Sequence, residues 1–327
     1  MRERAARVFE ALDEFVATLD VPRSHRELLR IHLKVGEEQA EAWPAMAAVQ
    51  LPLLVHAAIE GTEEPALPVA AACALLYLGA DLFDSVQDNE LPPRWRERGP
   101  AEATLAASTL FAALPQLSVA RLGSQGVPPE KLWALSLLFA ETLLSMSTGQ
   151  HQDLAFPDTE EVSLEGSRAM VELKSGSDGA LFARAGAMLA TGDASRIGAF
   201  AAFGACHGTA RQIITDVWDI WVNEPSRDLL NGKRTLPIVH ALCVLRGEER
   251  ERLVGLLAAA RESSERHDEV RAMLEEAGSV RYTALIVRFH QRRARAHLAA
   301  ARPEGTAGRE LHALLDLATL PTHRRGA

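Results

Sequence analysis

Hydrophobic and polar positions along this chain follow helical spacing, and two segments depart from it in the same way. The stretches ALPVAAACALLYLGADLFDSVQDNELPP and AFAAFGACHGTARQIITDVWDIWVNEP are apolar almost all the way round, then carry a row of aspartates just before a proline. The first row is Asp81, Asp84 and Asp88, and the second is Asp216 and Asp219. Spacings of three, four and seven residues put each row on one helix face. A helix apolar on every side is predicted to be buried, and its C-terminal end disfavours carboxylates. Elsewhere Ala, Leu, Glu and Arg dominate, β-branched alternation is nearly absent, and no strand is predicted.

Breaks are expected at Val21-Pro22, Gly61 to Pro65, Pro92-Pro93, Gly123 to Pro129, Pro157, Thr191-Gly192, Pro225, Gly247 and Arg302 to Gly308. About ten long helices then lie between them, which predicts an all-α protein: one large helical bundle with a central apolar cavity. No linker divides residues 1–327, so a single domain is expected. The C-terminal ATLPTHRRGA reads as a solvated basic tail.

A net charge of -9 with no dense basic tract argues against nucleic-acid binding. The three cysteines, Cys73, Cys206 and Cys243, lie in apolar stretches and read as reduced thiols of a cytoplasmic protein. The N-terminus lacks a signal-peptide apolar block, no clean apolar run of about 18 residues is seen, and the expectation is a soluble protein without a membrane span.

The acid rows carry the chemistry. Two carboxylates about 5 Å apart at an effective dielectric of about 20 repel by roughly 3 kcal/mol, so such rows call for cations between their members. Mg²⁺ takes oxygen ligands, commonly one or two carboxylates plus substrate phosphate oxygens, which predicts a diphosphate substrate. An apolar interior suits a hydrocarbon tail, and ionisation to an allylic cation follows. Further positive charge is sought in Lys174, Lys233 with Arg234, Arg227, and the group Arg94, Arg96 and Arg98, the last three better read as a solvated face. His56, His151, His207 and His240 have no ligand spacing and read as core or hydrogen-bonded side chains. Trp218 and Trp221 flank Asp219, where their π-faces would favour a passing cation, with ordinary packing the equal alternative.

These residues resemble the all-trans isoprenyl diphosphate synthases, or polyprenyl synthetases, of the class I isoprenoid fold. RQIITDVWD resembles the family's FQxxDDxxD, DLLNGKRTLPIVHAL its DLxxGKxTLPxxxAL, and GQHQDL and the Lys174 segment match further elements. The resemblance implies that Asp81, Asp84, Asp88, Asp216 and Asp219 bind Mg²⁺, that Lys174 and Lys233 contact an allylic prenyl diphosphate, and that Gln150 and Gln212 hold motif positions. It also implies a homodimer, and a pocket floor set one turn upstream of the first row, at Tyr77 or Gly79.

Three departures bear on function. Where elongating synthases carry GGKRxRP to hold isopentenyl diphosphate, this chain has MAAVQLP, with Ala48, Val49 and Leu51 at the basic positions. RWRERG stands for the usual RRG, and Thr215 for an aspartate. Charge-assisted contacts provide much of phosphate recognition, so ordinary elongation is not expected. The sequence therefore predicts prenyl transfer to a non-isopentenyl acceptor, as in peptide-prenylating relatives that modify tryptophan. The alternatives are a terpene cyclase derived from a polyprenyl synthetase, and a non-catalytic regulatory subunit of a prenyl synthase.

Overall fold

The computed structural model describes residues 1–42, 46–159 and 161–321. They are helical, with no strand among them. Most of the tail predicted to be solvated, residues 322–327, lies outside the described residues. The expected breaks fall where proline or glycine ends a helix. Gly61 closes Ala47–Glu60 with φ +78°, and Gly247 opens Gly247–Glu262 with φ +52°. Both angles lie in the left-handed region that glycine enters without a Cβ penalty. Several elements are shorter than the sequence suggests, because π-helical turns at Thr109–Ala113 and Glu172–Gly176 interrupt otherwise continuous runs.

The chain forms two compact units. The first comprises Met1–Leu144, Asp178–Gly204 and His297–Leu314. At its centre runs the first acidic helix, Leu67–Gln87, packed on Arg2–Ala17, Ala47–Glu60, Gly99–Ser108, Leu114–Arg121 and the π turn at Thr109–Ala113. Its residues from Val69 to Leu76 are buried without interruption, followed by Leu78, Gly79 and Leu82. Burial on all sides is what its composition demands. Gly79 allows the closest approach: a Cβ there would stand 2.3 Å from the Phe111 backbone nitrogen. Its missing side chain is thus filled by a neighbouring backbone. Tyr77, by contrast, is half-buried and lies one turn before Asp81 on the face of the acid row.

The second unit comprises Ser145–Ser177, Ala205–Ala296 and Leu315–Ala327. One of its apolar clusters joins Met170, Val171, Ile213, Ile214, Leu236 and Val287. Another joins Ile220, Leu229, Ile238, Leu253, Val270 and Leu274 with their neighbours. Both clusters include residues of the second acidic helix, Ala194–Val222, and of the segments that follow it. The acids of its last turns are thereby set against packed apolar surface.

Among the described residues three helical stretches, Glu64–Gln87, Gly99–Gln125 and Pro129–Ala155, are long and apolar enough to cross a membrane by length and composition. Polar residues interrupt each of them, so none is the clean apolar run whose absence was expected. In Glu64–Gln87 the apolar side chains are used in packing, 67% of the window being buried in the protein. Pro129–Ala155 is less covered, with Trp133, Leu137 and Leu144 exposed.

Candidate active site

In the second unit Gly149 begins the site. It lies one turn before Asp153 on Pro129–Ala155, and a Cβ on it would stand 2.6 Å from the Lys174 backbone nitrogen. Only glycine lets the π-helical turn Glu172–Gly176 pass so close. The Lys174 ammonium then reaches Asp153, donating to Oδ2 at 3.0 Å. Lys233, itself buried, donates to the same oxygen at 3.0 Å. Two cations on one carboxylate oxygen is the central arrangement here.

A second chain of contacts runs from the π turn to the acids. The Ser175 hydroxyl donates to Gln212 Oε1 at 2.9 Å, and Gln212 Nε2 donates to Asp216 Oδ1 at 2.8 Å. Asp219, next on that face, accepts from Ser226 Oγ at 2.6 Å, Asn223 Nδ2 at 3.1 Å and the Asp228 backbone N–H at 2.9 Å. Ser226 in turn caps Arg227–Leu230 by accepting from the Leu229 N–H at 3.2 Å. Asp219 therefore fixes the loop that delivers Asp228 and, five residues further on, Lys233.

Burial pushes Asp216 up to about 7, with the charges of Asp153 and Asp219 acting in the same direction and Gln212 and Lys174 opposing it. Burial also pushes Asp228 well above the ordinary carboxylate range, aided by Asp216, Asp219 and Asp153 and opposed by Lys233. Asp153, Asp216, Asp219 and Asp228 thus share one electrostatic field, opposed by Lys174 and Lys233. A bound cation would relieve the repulsion among them, and an all-oxygen donor set suits Mg²⁺. Among the described residues no three His, Cys, Asp or Glu side chains converge on one point. Mg²⁺ characteristically completes its shell with water and phosphate oxygens.

A pH effect follows from Asp216. Its folded value lies above the ordinary 3.8, so between about 4 and 7 the folded state holds a proton that the unfolded chain has lost. Its favourable contribution is complete below the lower value and disappears as pH rises through the upper one. The difference in melting temperature between wild type and Asp216→Asn should therefore turn against the wild type by a few degrees from pH 5 to pH 8. Mg²⁺ should reverse that at pH 8. Paired thermal melts check this, and a difference independent of both pH and Mg²⁺ would refute the electrostatic account.

The first row stands in the first unit. Asp81 accepts from Gln39 Nε2 at 3.3 Å and lies 3.7 Å from His32 Nε2. Asp84 lies within the last turn of Leu67–Gln87, and Asp88 follows directly after its end. Of the arginines beyond, Arg94 pairs with Glu38 and Arg98 with Glu102, and Arg94, Arg96 and Arg98 are exposed as expected of a solvated face.

Not every predicted residue joins these groups. Trp218 shares its helix face with the exposed Thr215 and Val222, and its indole N–H donates to the Thr319 carbonyl at 3.3 Å. It is thus turned away from Asp216 and Asp219, because one residue along a helix is about 100° of rotation. Trp221 donates instead to Glu275. Thr215 spends its hydroxyl on the Arg211 carbonyl. Arg227 is exposed, while Arg234 lines a cavity of about 910 Å³ together with Arg246, Arg250, Glu161 and Cys243. Gln150 is half-buried, three residues before Asp153.

Of the four histidines singled out in the sequence, His56 bonds to the Thr62 carbonyl, His207 is buried, His240 stacks on Tyr282 and His151 is exposed. The cysteines are free, with Cys73 and Cys206 buried and Cys243 partly so. Asp153 and Asp228 were not among the residues expected to act, although both stand inside the motif segments GQHQDL and DLLNGKRTLP. Their place in those segments was the available signal.

All-helical packing with these acids and lysines defines an isoprenoid-synthase fold. The crystal structure of geranylgeranyl pyrophosphate synthetase from Pyrococcus horikoshii superposes with a TM-score of 0.83 at 24% identity, covering 97% of this chain and 96% of that one. Residues 55–276 match the family model described as polyprenyl synthetase, and the chain belongs to that family. A short chain isoprenyl diphosphate synthase of Methanothermobacter thermautotrophicus is 27% identical over 277 residues, 81% of this chain and 83% of the relative. The tryptophan prenyltransferase ComQ of Bacillus subtilis subsp. natto is 34% identical over 140 residues, 42% of this chain and 41% of its own.

Proposed function

We propose that this chain is a Mg²⁺-dependent prenyltransferase that ionises an allylic prenyl diphosphate and passes the prenyl group to an acceptor other than isopentenyl diphosphate. The observation that carries the second half is the burial of the segment at the family's basic positions. Ala48, Val49 and Leu51 are fully buried in Ala47–Glu60, and Gln50 between them is also buried, donating to the Met1 carbonyl. No cation from these positions greets a second diphosphate. A buried apolar segment would instead leave an anion there with its desolvation cost unpaid. Similarity to a tryptophan prenyltransferase over part of the chain supports the same reading.

Asp81, Asp84 and Asp88 in the first unit, and Asp216 and Asp219 in the second, are the residues that would hold Mg²⁺, which when bound would supply electrostatic stabilisation of a departing diphosphate. Lys174 and Lys233, oriented by Asp153, add fixed positive charge beside it. Gln212 holds one oxygen of Asp216. The C1–O bond breaks with its electron pair going to the diphosphate. A carbon–carbon bond then forms from the acceptor's π electrons, and the acceptor loses a proton. Tyr77, on the face of the first row and one turn below it, limits the length of the prenyl chain.

The test is to incubate the protein and Mg²⁺ with geranyl, farnesyl and geranylgeranyl diphosphate, each alone, with isopentenyl diphosphate, and with tryptophan-containing peptides, and to identify products by mass spectrometry. Prenylated peptide, or slow release of prenyl alcohol alone, is the expected result, with Tyr77→Ala accepting a longer donor. Elongated diphosphates would overturn the acceptor assignment. A hydrocarbon from one substrate would establish cyclisation, and absence of turnover with tight binding to a second synthase would establish a regulatory subunit.

A further inference from the structure

On the helix Ser279–Ala301 five arginines, Arg281, Arg288, Arg292, Arg293 and Arg295, stand without a single acidic residue, in a protein whose net charge is -9. All five are exposed. Leu285 and Phe289 lie among them, 64% and 46% exposed, although both are side chains that folding ordinarily removes from water.

Helical geometry sorts these residues into strips. At 100° per residue, Arg281, Arg288, Arg292 and Arg295 fall within about 60° of arc. Leu285, Phe289 and Ala296 make an apolar strip beside them, and Arg293 bounds its far side, its guanidinium 5.5 Å from the centre of the Phe289 ring. Thr283, Val287, His290 and Ala294 are buried on the opposite side, which fixes the two strips outward. From Arg281 to Ala296 the face is about 22 Å long.

A surface arginine is ordinarily solvated or paired with an acid. Several exposed arginines elsewhere on the chain are paired: Arg23 with Glu27, Arg98 with Glu102 and Arg266 with Glu269. Among the described residues, Arg281, Arg288 and Arg292 have no such partner, and of their row Arg295 alone is paired, with Asp316 at 2.7 Å. Positive charge is thus concentrated and largely uncompensated beside exposed apolar side chains.

We infer that this face docks the protein on an anionic lipid surface, with the guanidinium groups at the headgroup phosphates and Leu285 and Phe289 in the acyl boundary beneath them. A helix with one basic and one apolar strip lies in the plane of such an interface, held by both kinds of contact. An acidic polymer in solution would engage the arginines alone, whereas a bilayer takes the apolar strip as well. The docking depends on neither the metal nor the acceptor assigned above.

Sedimentation of the full chain with lipid vesicles tests this. Wild type should bind vesicles of equimolar phosphatidylglycerol and phosphatidylcholine but not phosphatidylcholine alone, and should bind far less at about 1 M salt, where charges are screened beyond about 3 Å. One arginine near an anionic surface is worth about fivefold in partition, so Arg288→Gln with Arg292→Gln should weaken binding roughly 25-fold. Leu285→Ser with Phe289→Ser should weaken it at least about tenfold. Arg23→Gln with Arg266→Gln makes the same change of charge on other helices and should leave binding unchanged; an equal loss there would reduce the effect to net charge and overturn the proposal. Absence of wild-type binding to the anionic vesicles would also overturn it. So would binding that needs the arginines but is indifferent to Leu285 and Phe289, which would assign the face to a soluble acidic partner. Every substituted side chain is exposed, so the melting temperature should stay at the wild-type value in each variant.

Discussion

Replacing Asp219 with alanine should lower turnover of a prenyl diphosphate by on the order of a thousandfold and also destabilise the protein. Two causes combine. The carboxylate is expected to hold metal, whose loss removes several kcal/mol of stabilisation of the leaving group. It also accepts from Ser226, Asn223 and the Asp228 backbone N–H, and truncation leaves buried donors unpaired, at about 1–3 kcal/mol. Asp219→Asn separates the two, because its amide oxygen still accepts from Ser226 and Asp228 while the charge is gone. Turnover should collapse in both variants, whereas the melting temperature should fall appreciably only in Asp219→Ala. Retained turnover in Asp219→Asn would show that the charge is not what the reaction uses.

The second large effect is expected at Lys233. Lys233→Met should weaken kcat/KM for a prenyl diphosphate by about two orders of magnitude, since a charge-assisted contact to an oxyanion is lost from a site shielded from water. Lys233 is also one of two cations on Asp153, so its removal leaves that carboxylate to Lys174 alone and deepens the negative field around Asp216 and Asp228. The folded protein should lose stability, by less than the 3–5 kcal/mol typical of breaking an isolated buried pair, because Lys174 remains. A double variant with Asp153→Asn should recover stability without recovering turnover. Recovery of both would assign Lys233 to structure alone.

The two lysines illustrate how far sequence reading reached. Both were expected to serve the diphosphate, from the need for positive charge beside it and from motif resemblance. Neither signal announced that they meet on one oxygen of Asp153, because the contacts join it to residues 21 and 80 positions away, the nearer one on a turn that the missing Cβ of Gly149 lets pass. Trp218 shows the opposite limit. Adjacency to Asp219 suggested a shared site, yet neighbours on a helix point in different directions, and its indole serves the Thr319 carbonyl. Arg234, adjacent to Lys233 in the non-helical stretch before Leu236–Val244, lines a different set of side chains.

Periodicity, breakers and the runs of small apolar residues determined by themselves that the chain is helical, where its acid rows fall, and which helices are buried all round. These are local properties, fixed by backbone geometry and by what each residue can hide from water. Tertiary structure alone decided which acids share an electrostatic field and which oxygen each donor claims. It also decided that Gly79 and Gly149 are points of close backbone approach. Such choices depend on distances between segments remote in sequence, where a fraction of an ångström separates a hydrogen bond from an unpaired charge.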